Sequence, residues 1–145
     1  MSAMSDYLEN KLVDLTLRGQ AFTAPATLYF GLHTSATTDA GGGTEVTGGS
    51  YARVAVTASL ANFAGTQSAG STTASSGTGG VTSNNGTITF PTPTGNWGTV
   101  THWSVWDASS AGNMLFHGAL TTAKTINNGD AAPSFAAAAL TLTFA

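Results

Sequence analysis

The apolar residues of this chain change period at Pro25, and that change constrains the fold more than any single motif. Before it, in SDYLENKLVDLTLRG, Leu8, Leu12 and Leu15 fall at i, i+4 and i+7, which is one stripe along a helix. After it the period is two. In ATLYFGLHT, Leu28, Phe30 and Leu32 take one face, and Tyr29, Gly31 and His33 take the other. YARVAVTA, GTITFP, TVTHWSVW and ALTLTFA repeat the habit, the last placing Leu140, Leu142 and Phe144 inward if Thr141 and Thr143 face water. Threonine and valine are β-branched and suit a pleated surface. Asn85-Gly86 and Asn128-Gly129 are expected to supply the positive φ of tight turns. One helix, many short strands and no βαβ alternation predict an all-β fold: an antiparallel, jelly-roll-like β-sandwich with one short N-terminal α-helix, residues 1–145 forming a single domain.

The helix is expected over 6–18. Asp6 can cap it, Glu9 three residues on completes a capping-box pattern, Arg18 lies in the last turn, and Gly19 can stop it in a left-handed conformation. A helix this short is marginal alone, so its stripe must dock, either on its own domain or on a neighbouring subunit. Leu8, Leu12 and Leu15 are therefore candidate interface residues. Two segments, DAGGGTEVTGGS (39–50) and GTQSAGSTTASSGTGGVTSNNG (65–86), are Gly/Ser/Thr-rich and poor in large apolar groups. Structureless loops of that length are uncommon in compact domains. Both are expected to be mobile or held by neighbours, ordering on assembly.

Charge narrows the partners. The chain has four Lys or Arg and seven Asp or Glu among 145 residues, and between Val54 and Ala123 only Asp107 is charged. About a quarter is usual for a soluble domain. A net charge of −3 with scattered basic residues argues against nucleic acid, which needs clustered Lys and Arg, and against a basic membrane-surface patch. No apolar run reaches the length of a membrane span, and the acidic, polar N-terminus is unlike a signal peptide. The mature chain is expected to begin at Met1 and to be made in a cytosol. Without cysteine, disulfides and thiolate metal sites drop out, and the redox compartment stays open. Low charge weakens self-repulsion, so self-association is the default expectation.

TVTHWSVWDASSAGNMLFHGALTT (99–122) holds two of the three tryptophans and two of the three histidines. Ser104 and His102 share a strand face, but i and i+2 lie roughly 6.5 Å apart along the backbone. Asp107 has the other parity, and there is no nucleophile elbow, so a serine-hydrolase site is disfavoured. Glycosidase chemistry needs a facing carboxylate pair, and most of the acids sit in the helix or loops. If Asn113 pairs with Trp106, His102 faces His117, and a carboxylate or His33 could complete a metal site. A closed zinc site needs about four ligands, however, and three histidines on separate strands do not supply them. No catalytic residue, cofactor or metal is therefore assigned. Trp97, beside a loop, is the chief aromatic candidate for a sugar platform or interface; core packing is the commoner role for such residues.

The ordered motifs carry a resemblance. The helix YLENKLVDLTL, then LYFGLHTSATTDAGGGTEVTGGSYARVAV, then ITFPTPTGNWGTVTHWSVWDASSAGNMLFHGALTTAKTINNGD and a final LTLTF strand resemble a family of small tailed-bacteriophage virion proteins. Members are often labelled tail fibre proteins, and similar small β-rich proteins serve as capsid decoration or cement subunits. The likeness spans nearly the whole chain; the stretch 65–80 looks like an insertion, and no catalytic residue is carried over. The resemblance implies a virion component assembled in the bacterial cytoplasm. A chain without coiled-coil heptads or a shaft repeat is short for a whole fibre, which favours capsid decoration, as a homotrimer bound to the major capsid protein. The alternative is a tail fibre or receptor-binding protein whose partners are other tail proteins and a host surface glycan.

Overall fold

The computed structural model describes residues 2–144. In chain order it contains β1 (Ser2–Met4), α1 (Asp6–Leu17), β2 (Thr27–His33), β3 (Val54–Thr57), β4 (Val81–Ser83), β5 (Ile88–Thr89), β6 (Gly98–Trp106), β7 (Met114–Ile126), β8 (Ser134–Phe135) and β9 (Thr141–Thr143). A five-stranded antiparallel sheet runs in the order β1-β7-β6-β2-β3, and β4-β9 and β5-β8 form two short antiparallel ladders. The architecture is the expected one: largely antiparallel β-sheet, sandwich-like, with one short helix among the described residues. No helix among them is long and apolar enough to cross a membrane.

Alternation places the core. Phe30 pairs with Val105 and Leu32 with Trp103, and Val105 pairs in turn with Phe116. These side chains join Ile88 and Phe90 at the β5 end and Leu140 and Leu142 at the β9 end in one buried cluster. The short ladders thus close over the apolar face of the large sheet. The other face, carrying Gly31, His33, Ser104 and His117, is buried as well. Covering both sides of a central strand explains why bulk occurs at both parities of β2 and β6.

Several local expectations shift. Ser5, not Asp6, caps α1: its Oγ accepts from Leu8 N at 3.3 Å and donates to the Met114 carbonyl, tying the helix start to β7. The helix ends at Leu17, and Gly19 has φ +66°, as a left-handed stop requires. Strand β1 was not foreseen; three residues are too few for a periodicity to show. Segment 65–86 contains β4, so it is not loop throughout. Gly129 has the expected positive φ of 81°, but Gly86 does not turn left-handed. The neighbouring Asn84 organises that region instead: its Nδ2 donates to the Gly86 and Ala136 carbonyls, and its Oδ1 accepts from Leu140 N. Phe144, expected inward beside Leu140 and Leu142, is 48% exposed and meets the Phe116 ring edge-to-face at 4.9 Å.

The β6–β7 hairpin also has its own register. Trp106 pairs with Met114 rather than Asn113, and a bulge follows because Val105 already pairs with Phe116. His117 therefore faces Ser104, and His102 faces Ala119. The two histidines are not opposite one another.

Candidate functional site

The sequence from Thr34 to Arg53 leaves β2, loops out, and returns alongside it. Beyond Phe30 the edge of β2 is no longer covered by β3; residues 44–46 take over, with His33 bridged to Glu45 and Val46 N donating to the Leu32 carbonyl at 2.9 Å. Parity then sends Val46 into the core, 3% exposed, and sets Glu45 on the polar face beside His33.

Glu45 is the centre of that face. Arg53 grips it twice, Nε to Oε1 and Nη2 to Oε2, each at 2.8 Å, and the Tyr51 hydroxyl donates to Oε1 at 2.9 Å. The remaining Arg53 nitrogen reaches the carbonyls of Ala108 and Ala111 in the β6–β7 turn, and its Cζ lies 3.9 Å from the Trp106 ring centroid. One guanidinium therefore joins β3, the returning loop and the hairpin tip. Burial pushes the Glu45 carboxyl up, but the hydrogen bonds and charge of Arg53 outweigh it and leave it below its ordinary range. Burial, reinforced by the Glu45 charge, raises the Tyr51 phenol above its ordinary value. Gly31 has no side chain where these groups converge: a Cβ there would come within 2.9 Å of Ser104 Oγ and 3.0 Å of Glu45 Oε1.

Ser104 and His33 form the nearest approach to a nucleophile and base. Ser104 Oγ sits 2.7 Å from His33 Nε2 and receives a hydrogen bond from Trp106 Nε1 at 2.6 Å. The base is His33, from the neighbouring strand, and not the His102 that the sequence suggested. His102 bonds Thr101 Oγ1 at 2.8 Å. The pair lacks two things a hydrolase uses. Ser104 is wholly enclosed, so a substrate carbonyl has no path to it in this fold, and His33 Nδ1 has no orienting partner. Burial lowers the His33 pKa, holding the imidazole neutral. In this fold the pair ties β2 to β6.

His117 is held at both nitrogens. Nδ1 lies 2.9 Å from Thr37 Oγ1 and Nε2 lies 2.9 Å from Asp39 Oδ1. A neutral ring meets both by accepting from the threonine hydroxyl and donating to the carboxylate. This ties the start of the 39–50 segment to β7. The three histidines thus have three separate sets of partners, and among the described residues no group of three or more His, Cys, Asp or Glu could hold a metal.

The candidate interface residues divide. Leu8 is 6% exposed inside the core and Leu12 packs against it. Trp97 is 4% exposed, donates its Nε1 to the Gly49 carbonyl at 2.9 Å and meets the Tyr51 ring edge-on at 5.3 Å. It fastens the end of the 39–50 segment rather than offering a surface. Leu15 stays exposed, as do Val13 and Leu17, the last two sharing one helix face.

Arg53, Glu45 and Tyr51 were missed by motif reading. One signal pointed to them. In a chain this poor in charge, a lone arginine in the strand-like YARVAV must find a carboxylate, and Glu45 is the only glutamate beyond the helix. No curated protein matches the chain. A protein family described as "Podophage GP4 fiber I protein gp80" matches residues 3–143. With its fold described and nearly its whole length covered, the chain belongs to that family of fibre-type structural proteins of tailed bacteriophages.

Proposed function

We propose that the protein is a component of the phage tail fibre apparatus, acting through assembly and contact rather than catalysis. The observation that carries this is the fibre description of a family that matches 141 of 145 residues, 3–143. It reverses the preference for capsid decoration drawn from the short chain and its lack of coiled-coil heptads or a shaft repeat. Low charge and the exposed Val13, Leu15 and Leu17 support self-association, with a homotrimer as the expected state. The buried Ser104–His33 pair supports a non-catalytic role.

Gold-labelled antibody on intact virions tests the location. Label confined to the tail is the expected result. Label spread over the head, together with purified protein that binds and stabilises heads lacking it, would restore the decoration reading. Light scattering of the purified chain tests the trimer, and a monomer at every accessible concentration would refute it.

A further inference from the structure

The triplet Asn-Asn-Gly occurs twice, at 84–86 and at 127–129, and the fold holds the two copies differently. An Asn-Gly bond is a chemical weak point, because glycine has no side chain to keep its nitrogen away from the neighbouring carboxamide carbon. At the second copy, Asn128 and Gly129 are the central residues of a turn that Asp130 N closes on the Asn127 carbonyl at 3.2 Å. Asn127, Asn128 and Gly129 are all exposed, and Gly129 has φ +81° with open space around it. The Asn128 backbone nitrogen donates to Asn96 Oδ1 at 2.9 Å, while its carboxamide has no hydrogen-bond partner among the described residues. One bond opposes attack: Gly129 N donates to the Pro93 carbonyl at 3.0 Å.

Asn85 is held the opposite way. Its Nδ2 donates to the Leu60 carbonyl at 3.4 Å and the Ser71 carbonyl at 3.2 Å, and its Oδ1 is buried without a donor. Gly86 N meets no acceptor among the described residues, so it is the freer nucleophile. The carbonyl side decides between the two. Attack on the carboxamide carbon puts negative charge on Oδ1, and at Asn85 that charge forms where no donor reaches it. At Asn128 it forms in water.

We propose that Asn128–Gly129 is a self-modifying site, while Asn85–Gly86 keeps its amide. Gly129 N gives its proton to hydroxide and bonds to Asn128 Cγ. The Cγ–Nδ2 bond breaks, and the amide nitrogen takes a proton from water and leaves as ammonia. A second water opens the resulting five-membered imide. Addition at Cγ leaves an aspartyl residue, and addition at the Asn128 main-chain carbonyl leaves an isoaspartyl one. Asparagine and water thus become a carboxylic acid and ammonia, and ionisation of the acid adds negative charge to a chain of net −3. The isoaspartyl backbone is longer between Asn128 N and Gly129 N, which hold Asn96 and Pro93. Conversion therefore loosens the loop that leads into Trp97.

The test ages the full chain, folded, in mildly alkaline buffer made with heavy-oxygen water, beside a sample aged in urea. Trypsin cleavage after Arg53 and Lys124 puts Asn85 and Asn128 on separate peptides, and fragmentation in the mass spectrometer locates the converted residue. In the folded protein Asn128 should convert about tenfold faster than Asn85, or more. In urea the two should convert at similar rates, since each lies between Asn and Gly. Hydrogen exchange over 93–97 should rise in the converted fraction. Asn128→Gln, which would have to close a larger ring, should block conversion there, and an unchanged rate at Asn85 reports that the variant folds. Equal rates in the folded chain, faster conversion at Asn85, conversion at Asn127 instead, or a tenfold gap that persists in urea would each overturn the proposal. Unchanged exchange over 93–97 would overturn the loosening.

Discussion

Segments 39–50 and 66–80 are alike in composition and unlike in attachment. Each is built of Gly, Ser and Thr around one larger polar side chain, Glu45 in the first and Gln67 in the second. Glu45 is bound by a nearly enclosed arginine, its neighbour Val46 enters the core, and Trp97 and His117 fasten the two ends. Gln67 also gathers its loop. Its Nε2 reaches Ser71 Oγ at 2.6 Å and Thr73 Oγ1 at 2.8 Å, and its Oε1 accepts from Ser76 N at 3.2 Å. Those bonds lie in water, and no residue from Thr66 to Gly80 is buried. Composition does not decide order; what a loop buries does. The expectation that both segments wait for assembly to become ordered does not fit 39–50, which its own chain already holds.

The largest effect should come from Arg53→Ala. It strands the partly buried Glu45 carboxylate, frees two turn carbonyls and uncovers Trp106, and breaking a buried pair from one side costs about 3–5 kcal/mol. Urea unfolding measures it, and hydrogen exchange should rise over 44–53 while 66–80 is unchanged. Arg53→Lys should recover less than half, because one ammonium cannot serve a carboxylate bidentately and two carbonyls together. A loss below about 1 kcal/mol, the range of exposed pairs, would erase the distinction between the segments.

Acid should act on the same segment next. The folded pKa of His33 lies below its ordinary 6.5 because burial disfavours the charged ring. The unfolded chain therefore binds the proton more readily, and stability complete above that value falls as pH drops beneath it. Glu45 adds to the loss lower down, since its folded carboxyl also lies below its ordinary 4.5. The urea midpoint should begin to decline as pH falls through the ordinary histidine value of 6.5 and go on declining below it, and His33→Gln should flatten that decline. An unchanged slope in the variant would remove His33 from the account.

The smallest effect should follow excision of residues 67–76. Thr66 and Gly77 already meet, Gly77 N donating to Thr66 Oγ1 at 3.0 Å, so joining them closes the chain with little displacement. Loop-closure entropy varies slowly with length, and the stability change should stay within about 1 kcal/mol. A loss of several kcal/mol, read by thermal unfolding, would show that the loop's tie to the body, Asn85 Nδ2 donating to the Ser71 carbonyl at 3.2 Å, holds more than its exposure suggests.

What could be read from the residues follows from how far each signal reaches. The strands were legible because alternation is local: Phe30 and Leu32 declare their face without knowing their partners. The helix was legible to within one residue, and its cap was misplaced because Ser5 is chosen by a carbonyl on β7, more than a hundred positions away. Trp97 illustrates a different limit. An indole beside a loop suits either a core or a surface, and only the Gly49 carbonyl decides. Asn84 looks like turn chemistry and is instead a buried hub, since three of its partners come from distant chain. The bulge opposite Val105 and Trp106 shifted the histidines by a step that no pattern of residue types records.

The first and last described strands lie together: β1 contacts β9, and Ser2 Oγ accepts from Thr143 N at 2.8 Å. Tension applied across those two points would run through this one short seam and through the three pairs joining β1 to β7. Force entering at that pole would be absorbed by a few detachable residues, while Arg53, Glu45 and the sheet interior stay outside the load path.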